Sequence, residues 1–448
     1  MLGDAILVGA AGYSGRWLEL LGVRAVWVGY EPHLPKALGL AALAVFILFL
    51  SDLYNLGRWS RPGELAARLG LAFGLIGLVA GAASFLLPFF RFGRFYFGAA
   101  VTLSAVGTYV WRVQARRLLG AERFRERLVV VGTGKPARGV LDELAAYGAP
   151  EFEVVGVAEG NGHEPRAVVP NGVAILGGVR DLEAICSTYR VDSVVVALAE
   201  RRNCFPLREV LACKMRGIRV EDYPDFLERL TGKIPVPDLR PSWLIFSDGF
   251  GSRTLFRRLK RALDLFLASV LFVVTFPVMA VVAIAIRLES SGPALFRQER
   301  MGRNGRRFVL FKFRSMYQDA ERNTGPVWAA EKDPRVTRVG RFIRKTRLDE
   351  LPQLWNVLQG EMSFIGPRPE RPHFVQTLQE VVPYYAQRLA VRPGITGWAQ
   401  VRYPYGASVE DALEKLQYDL YYIKNMSPFL DLLILLATVR TVLRRGGR

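Results

Sequence analysis

Residues 256–300 read FRRLKRALDLFLASVLFVVTFPVMAVVAIAIRLESSGPALFRQER, and this stretch decides how the chain is arranged. Its apolar core, Ala262 to Ile286, is long enough to cross a bilayer, which takes about 20 apolar residues of helix. Arg257, Arg258, Lys260 and Arg261 precede it, and Arg287, Arg297 and Arg300 follow it. Cationic flanks stay on the cytoplasmic side, so both ends read as cytoplasmic. Pro277, in mid-run, lacks an amide donor and kinks a helix. A helix that enters one leaflet, breaks at Pro277 and returns meets both observations. Residues 262–286 are therefore expected to be re-entrant, with ordinary spanning as the alternative.

Upstream, residues 1–118 hold further apolar runs: Ala37 to Leu50, Ala66 to Phe90 and Phe95 to Trp111. Leu2 to Leu21 is a weaker run, interrupted by Asp4, Arg16 and Glu19. A transmembrane four-helix bundle is expected, with three helices as the alternative. Arg112, Arg116, Arg117, Arg123, Arg125 and Arg127 place the end of the last helix in the cytoplasm. Arg58, Arg61 and Arg68 agree, whereas Arg91 and Arg94 run against it. No basic region precedes the first apolar run, so a cleaved signal peptide is not expected.

Residues 119–240 change period. LVVVGTG (128–134), EVVGVAEG (153–160) and DSVVVALAE (192–200) read as buried strands with helical segments between them. That alternation predicts a parallel sheet and a Rossmann-like α/β domain. Gly132-Thr133-Gly134-Lys135-Pro136-Ala137 resembles a dinucleotide fingerprint, with Glu159 near the ribose-binding position. A Rossmann-like domain without its ligand is the preferred reading. Pro235, Pro237 and Pro241 then suggest a linker.

The bulk numbers fit a membrane surface. Half of the 448 residues are hydrophobic, at 51%, yet the formal charge is +19. Such a surplus draws anionic headgroups and phosphate. Nucleic acid is disfavoured: there is no zinc-ligand spacing, aromatic RNA-binding signature or basic low-complexity tail. Cys186, Cys204 and Cys213 form no CxxC pair and read as reduced thiols. His33, His163 and His373 are too scattered to suggest a metal site.

Residues 250–448 are expected to form a mainly helical catalytic domain. Its densest region is RKTRLDELPQLWNVLQGEMSFIGPRPERP (344–372). Leu348, Leu351, Leu354, Trp355 and Leu358 fall at helical spacing, and Pro352 requires the helix to begin near Asp349. Asp349 and Glu350 then lie at a positive dipole end beside Arg344, Lys345 and Arg347, which predicts both carboxylates ionised. Capping is the plainer role for such a pair. Gly366-Pro367-Arg368-Pro369 presents a guanidinium on a stiff loop, with Arg371 beside it. Lys312 and Arg314 of KFRSM and Arg392 of VRPGITGWAQV add cations. Arginines on rigid turns suit bidentate phosphate binding.

These residues carry a resemblance. SGPALFRQERMGRNGRRF, KFRSM, DPRVTRVGRFIRKTRLDELPQLWNVLQGEMSFIGPRPERP and VRPGITGWAQVRYPYGASVEDALEKLQYDLYYIKN closely resemble motifs of the bacterial sugar transferases called polyprenyl-phosphate phosphoglycosyl transferases. The upstream layout is similar to the large, exopolysaccharide-initiating branch. The resemblance implies an enzyme of the bacterial inner membrane, working at its cytoplasmic face on a UDP-sugar and polyprenyl phosphate. Asp349 would attack the sugar-bearing phosphorus and release UMP, and Glu350 would hold Mg²⁺. Arg344 and Arg368 match positions that handle phosphate or the lipid carrier. A homodimer is compatible with this reading. One departure stands out: the family has Ser before the helix-breaking Pro, whereas this chain has Phe276, with Thr275 expected to supply the hydroxyl. The rivals are a non-enzymatic membrane scaffold or sensor, and a glycosyltransferase releasing UDP.

Overall fold

The computed structural model describes residues 7–10, 33–50, 53, 62–86, 94–118, 125–149, 151–160, 172–198, 205–250, 254–318, 335–403, 406 and 408–445. The chain divides into two compact units, Met1–Glu221 and Asp222–Arg448.

In the first unit, helices α1 (His33–Leu50), α2 (Pro62–Leu86) and α3 (Arg94–Leu118) follow the apolar runs. α2 packs against both neighbours through a core that includes Ala44, Leu48, Leu69, Phe73 and Ile76. α2 contains a stretch long and apolar enough to cross a membrane, Leu65–Ala82, whereas α1 offers only the shorter Ala37–Leu48. The first expected helix, Leu2 to Leu21, lies mostly outside the described residues. Residues 7–10 are helical, and Val8 is buried in the same core.

The α/β part of this unit comprises β1 (Glu126–Val131), α4 (Lys135–Tyr147), β2 (Phe152–Glu159), β3 (Ile175–Gly178), α5 (Leu182–Thr188), β4 (Ser193–Val196), α6 (Leu207–Met215) and β5 (Arg219–Asp222). The strands are ordered β3-β2-β1-β4-β5, with β1 parallel to both β2 and β4. This is the crossover arrangement expected of alternating strands and helices. Gly132 has φ +118°, and a Cβ there would lie 2.6 Å from the Ala197 carbonyl oxygen. The first glycine of the fingerprint is thus required by the neighbouring chain segment, without reference to a ligand. Cys186 and Cys213 are free and buried, with Sγ atoms 3.8 Å apart. Burial is the main cause that pushes the Cys186 thiol up to about 12.

The second unit begins at Asp222, and here the expected linker needs correction. Helices α7 (Tyr223–Thr231) and α8 (Pro241–Phe246) flank a turn whose Ile234, Val236 and Leu239 are buried in one core with Trp398 and Leu416. Trp398 Nε1 donates to the Gly232 carbonyl at 2.9 Å. Prolines did mark helix ends, but the apolar residues between them fill the core instead of joining a tether.

Helix α9 (Thr254–Glu289) runs unbroken through Pro277. The residue therefore does not divide it into two elements. Nor does Thr275 take over the carbonyl freed by the proline, which is that of Val273. Its hydroxyl donates to the Leu271 carbonyl at 2.7 Å. The outward side of α9 is apolar and exposed, as at Val273, Val274 and Val281. Both ends dock on the same unit. Near the start, Lys260 Nζ lies 2.7 Å from Asp431 Oδ2, and Arg261 donates to the carbonyls of Val357 and Leu358 at 2.6 and 3.0 Å. At the far end, Glu289 accepts from the amides of Arg338 and Val339 at 2.7 and 3.0 Å.

Candidate active site

The site is assembled from the elements that follow α9. Strands β6 (Leu295–Met301) and β7 (Arg307–Phe313) form an antiparallel hairpin that carries Lys312. Helix α10 (Arg338–Lys345) leads to Arg347, whose left-handed backbone (φ 59°) turns the chain into a 3-10 turn, Leu348–Glu350. Pro352 then caps α11 (Gln353–Gln359), so the α-helix begins just after the carboxylates and Gly360 ends it, as the spacing predicts. The buried Leu354 and Val357 anchor this piece. Asn356, fully buried, ties it to β7 by accepting from the Phe311 amide at 3.1 Å and donating to the Val309 carbonyl at 2.7 Å.

Next come β8 (Ser363–Ile365), α12 (Pro372–Val381), β9 (Gly394–Thr396), α13 (Trp398–Arg402), α14 (Val409–Lys424) and α15 (Pro428–Arg445). β8 and β9 pair in parallel, and the loop from Gly366 to Glu370 emerges beside them. A Cβ on Gly366 would lie 2.3 Å from the Arg392 carbonyl oxygen, so this close approach admits only glycine. Every carbonyl from Pro367 to Glu370 accepts a bond: from Gly394 N, Arg388 Nη2, Arg300 Nη1 and Met301 N, at 2.9, 3.0, 2.9 and 2.9 Å. The loop's stiffness thus comes from these clamps as well as from its prolines.

That rigidity aims Arg368. Its Nη2 donates to Glu350 Oε1 at 3.1 Å and its Nη1 to Gln400 Oε1 at 3.1 Å. Lys312 Nζ and Arg347 Nη1 lie 3.3 and 3.5 Å from the same Glu350 oxygen. Burial pushes Glu350 upward, but Lys312, Arg368 and Arg347 overcome it and hold the carboxyl down at about 2. Asp349 goes the other way. Burial first, then the adjacent Glu350 charge, raise its pKa, against the pull of Lys312, Arg347 and Arg344. The two carboxylates predicted to behave alike are split by their surroundings. The short α11 leaves this to side-chain charges, not to a long helix dipole.

Asp349 is buried at 8% exposure and lines a cleft of about 1740 Å³. Its Oδ1 makes no hydrogen bond. Lys312, Arg314, Arg344, Arg368 and Arg371 line the same cleft. Two of the expected phosphate ligands have other duties. Arg392 does not line the cleft: its Nε donates to the Gly360 carbonyl at 2.8 Å, beside Arg261, and closes the end of α11. Arg314 is buried and donates to the Ser291 and Ser290 carbonyls at 2.6 and 2.8 Å, which ties β7 to the end of α9. Arginine matches orphan helix-end carbonyls as readily as it matches phosphate, and local sequence does not distinguish the two. Arg300, Arg388 and Gln400 were not expected here. In the sequence Arg300 stands only as a flanking charge, and Arg388 carries no local signal.

The chain is similar to known bacterial sugar transferases. The family profile described as bacterial sugar transferase matches residues 255–445. The UDP-N-acetylgalactosamine-undecaprenyl-phosphate N-acetylgalactosaminephosphotransferase of Aeromonas hydrophila is 42% identical over 259 residues, 58% of this chain and 60% of the relative. The undecaprenyl-phosphate glucose phosphotransferase of Komagataeibacter xylinus is 34% identical over 357 residues, 75% of this chain and 62% of the relative. The chain thus spans about three-fifths of the length of these two. The UDP-glucose:undecaprenyl-phosphate glucose-1-phosphate transferase of Xanthomonas campestris pv. campestris is 31% identical over 444 residues, 95% of this chain and 90% of the relative. With near full-length similarity to one relative, and the profile falling on the unit that holds Asp349 and Glu350, the chain belongs to the bacterial sugar transferase family of polyprenyl-phosphate phosphoglycosyl transferases.

Proposed function

We propose that this protein transfers a hexose-1-phosphate from a UDP-sugar to polyprenyl phosphate, through a phosphosugar carried on Asp349. The observation that carries this reading is the division of labour between the carboxylates: Glu350 is held ionised by three cations, while Asp349 lines the cleft and has one buried oxygen without a hydrogen bond. An Asp349 oxygen attacks the sugar-bearing phosphorus, the phosphoanhydride bond breaks, and UMP leaves. A phosphate oxygen of the acceptor then attacks the same phosphorus. The bond to Asp349 breaks, the carboxylate is regenerated, and polyprenyl-diphospho-sugar forms. Splitting one transfer into two easier ones is covalent catalysis.

Mg²⁺ fits the residues present. Among the described residues no three metal-ligating side chains cluster, so an all-protein cage is not on offer. Mg²⁺ is commonly held by one or two carboxylates together with substrate phosphates, and Glu350 with Asp349 supply that complement. When bound it would supply a Lewis acid that offsets the charge of the substrate phosphates. Lys312 and Arg368 hold Glu350 in place whatever the metal does.

The docking of α9 supports a re-entrant topology. A straight crossing would put its two ends in different compartments, yet Arg261 and Glu289 both bind the unit that holds Asp349. A helix that dips into the cytoplasmic leaflet keeps that polar unit out of hydrocarbon. The cytoplasmic face of the inner membrane is where a UDP-sugar and a lipid phosphate meet.

The rival reaction moves the sugar without its phosphate. Incubation of the membrane-embedded enzyme with a panel of radiolabelled UDP-sugars and undecaprenyl phosphate separates them. UMP and a labelled diphospholipid are expected, whereas stoichiometric UDP would reject this reading.

A further inference from the structure

The last two turns of α9 lie along the active-site cleft. Ala283, Ile284, Arg287 and Leu288 all line it, together with Asp349. Their spacing puts them on one face of the helix. Ile284 and Leu288 remain 60% and 83% exposed, so the cleft opens onto the apolar surface of the membrane helix. Its inner end is ionic and its outer wall is hydrocarbon-like.

The cations around the cleft fall into two groups. Lys312 and Arg368 are engaged by Glu350, Arg314 by the Ser290 and Ser291 carbonyls, and Arg300 by the Pro369 carbonyl. Arg287 and Arg344 have side chains without a hydrogen-bond or ion-pair partner among the described residues. Glu289, two residues beyond Arg287, makes no ion pair with it; its oxygens accept from the Arg338 and Val339 amides. The apolar wall therefore ends in a guanidinium without a side-chain partner among the described residues, at the end of the membrane helix, where a long cationic side chain reaches the headgroup level.

We propose that Ala283, Ile284, Arg287 and Leu288 form the acceptor subsite of the cleft. The isoprenoid chain lies against Ile284 and Leu288, and Arg287 holds the terminal phosphate facing the phosphosugar on Asp349. A polar ligand alone would leave the apolar wall uncovered, and a hydrocarbon alone would leave Arg287 unpaired. A phosphate monoester on a long hydrocarbon chain satisfies both. The proposal rests on the two-step reading given above.

The test separates the two half-reactions in full-length enzyme held in nanodiscs. One measurement is the UMP burst with UDP-sugar and no acceptor. The other is saturation by undecaprenyl phosphate. Arg287→Gln and Ile284→Ser are each expected to raise the KM for undecaprenyl phosphate tenfold or more. Burst amplitude and the KM for UDP-sugar should stay within twofold. Arg287→Lys, which keeps the charge, should recover most of the loss. Val281→Ser, exposed on the same helix but off the cleft, should match wild type. An unchanged acceptor KM in both variants would overturn the subsite. So would an equal loss of the UMP burst, or a Val281→Ser defect as large as that of Ile284→Ser. If the Arg287→Gln defect vanished in discs without phosphatidylglycerol, the residue would be a bulk headgroup contact and the proposal would fall. A wild-type enzyme without a UMP burst would reject the covalent step, while the acceptor KM values would still decide the subsite.

Discussion

Asp349 and Glu350 are neighbours in sequence whose environments pull their proton affinities apart. Glu350 faces Lys312, Arg347 and Arg368 through one oxygen. Asp349 faces the cleft with burial and a neighbouring negative charge against it. Asp349→Asn is nearly isosteric yet cannot form an acyl phosphate, so turnover should fall about a thousandfold or more, as for loss of a nucleophile. No phosphosugar should be trapped on the variant, by mass spectrometry of the intact protein. Near wild-type lipid product from it would remove the covalent mechanism. The pH profile gives an independent check. Attack requires ionised Asp349, so kcat/KM for UDP-sugar should fall as pH drops through its pKa, and free-enzyme groups govern that quantity. Because the pKa is raised, the acid limb should lie above the ordinary aspartate value of 3.8. Glu350 stays ionised down to about 2 and does not contribute to that limb. Arg347→Gln removes a charge that favours ionised Asp349, so the limb should move to higher pH. A downward move would contradict the assignment.

At the scale of elements, the site depends on how β7, the turn before α11 and the Gly366–Glu370 loop are held together. Arg388, 7% exposed, pairs with the buried Asp419 at 2.8 Å and donates to the Arg368 carbonyl. It touches no cleft-facing atom of Asp349 or Glu350, so it is a positioning residue acting through Arg368. Arg388→Lys keeps a charge opposite Asp419 but loses the planar guanidinium, whose Nη2 meets both Asp419 and the Arg368 carbonyl while Nη1 donates to the Tyr385 hydroxyl. Catalysis should drop about ten- to a hundredfold, the range for a small misplacement of a catalytic group. In an Arg368→Ala background the same change should cost little more. Additive losses in this four-protein cycle would mean that Arg388 acts elsewhere. Pro277 belongs to this scale as well. Since Thr275 is bonded to Leu271, Pro277→Leu adds a backbone donor opposite Val273. A straighter helix and lower activity are expected, with the UDP-sugar KM unchanged.

For the whole molecule, the compact unit beginning at Asp222 defines the smallest piece expected to work. A fragment 222–448 retains Ile234, Val236 and Leu239 in the core with Trp398. A fragment from Phe250 onward loses all three, at about 1.5–3 kcal/mol for each buried side chain. That sum rivals the roughly 5–15 kcal/mol stability of a whole domain. UMP release is therefore expected from the membrane-bound longer fragment and not from the shorter one. Equal activity of the two would show that the 222–249 segment is dispensable. Topology has its own test. In a background without Cys186, Cys204 and Cys213, single cysteines at Leu259 and Leu295, both exposed, should label only from the cytoplasm. Labelling at position 295 from the outside would establish a crossing helix.

Patterns of hydrophobicity determined the elements, because burial against lipid or core leaves a period in the residues themselves. The apolar runs became α1 to α3 and α9, and the valine-rich runs became β1, β2 and β4 of a parallel sheet. The Asp349-Glu350 pair and its cationic surroundings were also legible, since paired acids among arginines on stiff turns are a local feature. What the tertiary structure decided was which partner each charge meets. Arg392 and Arg314, indistinguishable from phosphate ligands in sequence, are engaged by carbonyls at the ends of α11 and α9. Arg388 reaches the Arg368 carbonyl from 20 residues away. Ile234, Val236 and Leu239, read as part of a linker, are core. The opposite displacements of the Asp349 and Glu350 proton affinities likewise arise from burial and from cations on β7 and the Gly366–Glu370 loop. Coulombic and hydrogen-bond partners are chosen by distance in space, and a single strand of sequence encodes that distance only through the fold.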